Sequence, residues 1–135
     1  MQGWISRFLR RAPAPPKPLK GVPATARVKR YAAMSGYVYE YVYLGYRDAP
    51  QARDHFFNVS ADRKAWFELQ VVVEDGGLRA WEREQGRELN TAERYAVAKL
   101  ALFEAFDERA APAAMREPVR ASASRIAALL ASIDL

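Results

Sequence analysis

The stretch Tyr37-Val38-Tyr39-Glu40-Tyr41-Val42-Tyr43-Leu44-Gly45-Tyr46 decides how this 135-residue chain is read. Tyrosine recurs at every second position from 37 to 43, with valine, glutamate and valine between. A period of two is the signature of a strand that buries one face, and β-branched and aromatic residues suit a pleated surface. Ser35-Gly36 marks a turn before it and Asp48-Ala49-Pro50 ends it. The tyrosines all point one way and Glu40 points the other. A glutamate belongs on the wet face, so the tyrosine face is expected to lie under helices. The alternative is an exposed aromatic face on which bases stack, but the basic surround that base stacking needs is missing from this part of the chain.

Outward from this strand, residues 26–34 read as a neighbour. Residues 55–60 and 65–74 read as a hairpin around Ala61-Asp62-Arg63-Lys64. In its second arm Phe67, Leu69, Val71 and Val73 share one face, while Glu68, Gln70 and Glu74 share the other. Asp75-Gly76-Gly77 reads as a stop. Helices follow at 78–85, with Gly86 at its end, and at 91–109, opened by Asn90-Thr91-Ala92-Glu93 in the manner of a capping box. A last amphipathic helix is expected over 119–133. Strands first and helices afterwards indicate an α+β fold. The expectation is an antiparallel sheet of three to four strands with two or three helices on one face, in a single domain over residues 25–135.

Residues 1–24 read as an arm. Residues 1–30 carry eight Lys or Arg and no acid, whereas the rest carries 13 basic and 16 acidic residues, so a net +5 is a cationic arm on a mildly acidic body. On a helix, Trp4, Ile5, Phe8 and Leu9 fall in an arc of about 140°, with Arg7, Arg10 and Arg11 outside it. Such a tip is too short to be stable alone in water. Five of the eight prolines lie between 12 and 23, an extended spacer of about 37 Å when fully drawn out, with Lys17 and Lys20 along it. No secretory signal, transmembrane span or myristoylation motif is expected, which points to a cytoplasmic protein, peripheral to the membrane when the tip is engaged. An organelle transit peptide fits the arginines but not the proline block.

Several chemistries are excluded. With no cysteine there are no disulfides, no thiol catalysis and no cysteine-ligated metal. His55, the one histidine, lacks partners for a metal site or triad and, at a strand start beside Arg53 and Asp54, reads as an ordinary surface or edge residue. Glu40, Glu68 and Glu74 read as a solvated face, not a catalytic pair. Gly76-Gly77 has no phosphate-cradle pattern around it. Asn58-Val59-Ser60 is a glycosylation pattern that matters only in a secreted protein. Lys99 falls within the apolar stripe of its helix, where a lysine is either a functional amine or a stem lying on apolar surface. Three strands followed by a helix containing Ala96-Val97-Ala98-Lys99-Leu100-Ala101-Leu102 resemble the later part of a double-stranded-RNA-binding domain over about half the chain. The resemblance implies RNA binding, yet Asn90, Thr91, Ala92 and Glu93 stand where that family has paired lysines.

The expectation is therefore a non-enzymatic binding or adaptor protein, with no catalytic residues, metal or cofactor. Trp4, Ile5, Arg7, Phe8, Leu9, Arg10, Arg11, Lys17 and Lys20 would tether it to an anionic membrane surface. Lys99 is the candidate functional residue of the body. Alternatives are nucleic-acid association through the same arm, docking of the arm on a protein partner, and, below these, an enzyme. An enzyme would need a pocket holding Lys99 or His55 with polar groups converging on it.

Overall fold

The computed structural model describes residues 17–135; the tip, with Trp4, Ile5, Arg7, Phe8, Leu9, Arg10 and Arg11, lies outside the described residues. Four strands come first: β1 (Lys29–Ala32), β2 (Val38–Ala49), β3 (Ala52–Ser60) and β4 (Phe67–Glu74). Helices α1 (Asp75–Gln85) and α2 (Thr91–Glu108) follow. A 3₁₀ turn at Pro112–Arg116 leads to β5 (Val119–Ala121) and α3 (Ala123–Ala131). The fold is α+β. Its sheet runs β1-β2-β3-β4-β5, antiparallel from β1 to β4 and parallel between β4 and β5.

The sheet thus has one strand more than expected, and the extra one is parallel. Residues 119–121, read as the first turn of the last helix, pair as a strand with Val71–Val73. Val119 and Ala121 are buried and Arg120 points out, where it meets Glu74 at 3.2 Å. Pro118 blocks a helix start further back, and the pairing satisfies backbone groups at the otherwise bare edge of β4. The helix then begins beyond Ser122. A parallel partner requires a long crossover, and α1 and α2 supply it.

The hairpin turn forms as read. The Ser60 hydroxyl accepts the Arg63 N–H at 2.8 Å, and Asp62 Oδ1 accepts those of Lys64 and Ala65 at 2.8 and 2.9 Å. These two N–H groups hold the Asp62 carboxyl below its usual range. The expected stop at 75–77 is instead the first turn of α1. Gly77 is needed there for close packing: a Cβ would sit 2.7 Å from Ile126 Cδ1 and 2.8 Å from Ala123 Cα of α3.

α2 opens with the expected capping box. Asn90 Oδ1 accepts the Glu93 N–H at 2.8 Å and Glu93 Oε1 accepts the Asn90 N–H at 3.0 Å. The core lies between one sheet face and the helices. Tyr39, Phe57, Val59, Leu69, Val71 and Val73 supply it from the sheet, while Val97, Ala98, Leu102 and Phe106 supply it from α2. The tyrosine face is covered as expected at Tyr39 and Tyr41, which are 0% and 4% exposed. Tyr37, before the strand, remains exposed.

Candidate ligand cleft

The far end of the tyrosine strand is built differently. In β2, Tyr43 stands opposite Phe57 and Tyr46 opposite His55. Between these pairs Leu44 and Gly45 on β2 oppose Phe56 alone on β3, which is a β-bulge. Without it Tyr46 would point away from the helices. With it, Tyr43 and Tyr46 flank His55 on the same side, each ring centroid 5.9 Å from the imidazole. Gly45 makes the bulge, with φ 124°, a conformation L side chains rarely adopt. The backbone of residues 19–22 lies directly over it: a Cβ on Gly45 would sit 2.6 Å from the Lys20 carbonyl oxygen.

That crossing is held by paired hydrogen bonds. The Lys20 N–H donates to the Tyr46 carbonyl at 2.8 Å, and the Tyr46 N–H to that of Lys20 at 2.9 Å. Arg47 Nε donates to the Lys17 carbonyl at 2.7 Å, and Lys20 Nζ approaches Asp48 at 3.6 Å. Residues 17–20, read as arm, thus lie on the end of β2. The chain continues through Gly21, Pro23 and Thr25 to Arg27 and Lys29, forming one wall of a cleft of about 500 Å³. Thr91, Ala92 and Tyr95 of α2 form the facing wall. Tyr41, Tyr43, Tyr46 and His55 form the floor, with Arg53 beside them.

His55 is 1% exposed, which corrects its reading as a surface or edge residue at a strand start. β3 starts at Ala52, so His55 is interior to the strand and shares the covered face with Phe57 and Val59. Burial, with help from Arg53 and Arg94 and against the pull of Asp48, brings its pKa down to about 4. The ring is neutral at pH 7. Its Nδ1 lies 2.8 Å from the Tyr43 hydroxyl. Burial, reinforced by Tyr95 and Tyr46, raises the Tyr43 pKa, so the phenol keeps its proton. The phenol can donate to Nδ1 or accept from it, and the tautomer of the ring follows that choice; in either case the contact engages Nδ1 and leaves Nε2 as the other ring nitrogen. That atom is buried and has no partner among the described residues.

The lining contains no carboxylate. Arg53 Nε donates to Asp48 Oδ1 at 2.8 Å, and its guanidinium lies 3.9 Å over the Tyr46 ring. Arg27 and Lys29 are exposed and form no ion pair with a described residue. At the facing wall, the capping box uses the Asn90 and Glu93 N–H groups and leaves those of Thr91 and Ala92 at the helix start. The Glu93 carboxylate is committed to Arg87, with contacts of 2.9 and 2.8 Å. Those bonds, with the Asn90 N–H, hold its pKa at about 2.

The other candidates do not converge on the cleft. Lys99 is half-buried, one turn beyond Tyr95, with Nζ 5.8 Å from that ring; it is not in the lining. Glu40 pairs with Arg63 and Glu74 with Arg120. No group of three metal-ligating side chains occurs among the described residues, and no described helix is long and apolar enough to cross a membrane. The residues sequence reasoning missed are Tyr46, Arg53, Arg27, Lys29 and His55. Only His55 had a usable signal: counting back by twos from Val59 and Phe57 reaches it. No protein-family model, curated protein or solved structure matches the chain.

Proposed function

We propose that the protein is a non-enzymatic binding protein that attaches to anionic membrane surfaces through its N-terminal segment. One observation carries this reading. Lys17, Lys20, Arg27, Lys29 and Arg30 are all exposed, and no Asp or Glu occurs before Glu40. The most exposed large hydrophobics of the described residues, Val22, Val28, Met34, Tyr37 and Val38, fall in the same part of the chain. Single exposed apolar residues are ordinary, but five within residues 22–38, interspersed with Arg27, Lys29 and Arg30 and preceded by Lys17 and Lys20, are a composition suited to meeting headgroups and acyl chains together. Each cation near an anionic leaflet contributes about 1 kcal/mol. The tip, through Trp4, Ile5, Phe8 and Leu9 with its three arginines, would add the deeper apolar anchor.

Sedimentation with vesicles tests this. The full chain is expected to pellet with phosphatidylserine-containing vesicles, much less with neutral ones, and less as salt rises. Trp4→Ala with Phe8→Ala should cut binding at least about tenfold. Equal binding to neutral vesicles, or unchanged binding by a chain lacking residues 1–11, would overturn the proposal. Persistent binding to single-stranded nucleic acid by the Trp4/Phe8 double variant, with vesicle binding absent throughout, would replace it with phosphate recognition.

A further inference from the structure

The cleft does not depend on the membrane reading, and we infer that it binds a flat aromatic compound carrying one anionic group, a carboxylate or phosphate. Its size falls within the range of small-molecule sites, which also combine apolar walls with a few placed polar groups. Its floor is made of rings. Tyr43 meets Tyr95 edge to face at 4.6 Å, and Tyr46 and His55 continue the same surface. Ring faces and edges reward another flat ring with offset or edge-on contact, whereas an acyl chain is better matched by aliphatic walls.

The sign of the ligand follows from the rim. Arg27 and Lys29 stand at one wall without a described counterion. The Thr91 and Ala92 N–H groups, with the positive end of the α2 dipole behind them, stand at the other. Asp48 is the nearby acid, but it is shared between Arg53 and Lys20 and is not part of the lining. The helix start does not stand alone as evidence. His55, in the lining, has a buried Nε2 with no partner among the described residues, and a buried polar atom is normally met by one. A polar ring atom of the ligand, acceptor or N–H according to the His55 tautomer, would meet it. The anionic group would sit between the cations and the helix start, with the ring packed against the aromatic side chains of the lining.

Calorimetric titration of the full-length protein with four probes tests this inference. 2-Naphthoate and 2-naphthyl phosphate share the ring and differ in the anion. 2-Naphthamide keeps the ring without charge, and decanoate keeps the charge without the ring. At least one naphthyl anion is expected to bind at one site, about tenfold or more tighter than the amide and decanoate. The tighter of the two anions distinguishes a carboxylate ligand from a phosphate one. Since His55 is the one histidine, its ring resonances report occupancy and should shift on binding. Arg27→Gln with Lys29→Gln changes exposed side chains, so thermal unfolding should be preserved while affinity falls about tenfold. No binding of either anion up to about 5 mM, equal or tighter binding of decanoate or the amide, an unmoved His55 signal, or undiminished affinity in the folded double variant would each overturn the inference. Failure of vesicle binding would leave it intact.

Discussion

The two ends of the tyrosine strand share residue type and a covering helix, and they end in opposite states. At one end Tyr39 stacks on Phe106 with centroids 4.2 Å apart, and Tyr41, at the border of the cleft, meets Phe103 edge-on at 5.6 Å. At the other, Tyr43 and Tyr46 look into a cleft. The same helix spans both ends and changes size along its length. Its last turns carry Phe103 and Phe106, while its first turn carries Thr91 and Ala92. A covered face is thus made by the partner's side chains, not by the strand's own pattern. Where the partner is small, the strand's tyrosines line an open cleft instead.

The closed end should be the more costly to disturb. Phe106 is fully buried, and Phe106→Ala removes the ring on which Tyr39 lies. We expect a loss of about 4 kcal/mol, seen as a fall in the urea midpoint. A loss below about 1 kcal/mol would mean that the end collapses readily and the contrast with the cleft is weak.

The open end is more sensitive to protons. The His55 pKa is lowered from 6.5 to about 4 in the folded chain, so the unfolded state binds more protons between those values. The sign is fixed: the contribution is fully present above pH 6.5 and lost as pH falls toward about 4. It amounts to about 3 kcal/mol. A proton NMR titration follows this one ring directly. A midpoint near 6.5 would show that the imidazole is hydrated and the floor of the cleft open to water.

The finest comparison uses one substitution at both ends. The Tyr39 hydroxyl is buried without a partner among the described residues, whereas that of Tyr43 is bonded to His55. Tyr43→Phe should therefore cost about 2 kcal/mol, because it leaves Nδ1 unsatisfied, and Tyr39→Phe should be neutral or stabilising by about 1 kcal/mol. Equal effects in urea denaturation would remove the distinction between the two hydroxyls.

Much of this fold was legible from local pattern. The tyrosine alternation placed β2 and its covered face, Asp62 placed the hairpin turn, and Asn90 with Glu93 placed the start of α2. β5 was not legible, because three residues are too few to show a period and they run straight into an amphipathic helix. His55 was misread because β3 begins three residues earlier than the apolar run suggests. The cleft was beyond any local motif: its walls come from residues 21–29, 41–55 and 91–95, and Tyr46 reaches it only through a bulge that depends on where Lys20 lies.

The parallel pairing of β5 has a consequence during synthesis. β4 leaves the ribosome with its outer edge bare, and the strand that covers it lies beyond the 44 residues between Glu74 and Val119. At about 5–20 residues per second that interval lasts roughly 2–9 s. For that time Val71-Val72-Val73, three β-branched residues in a row, offer unpaired backbone to any neighbouring nascent chain. The three-residue β5 therefore replaces the longer bare edge of β4 with a much shorter one.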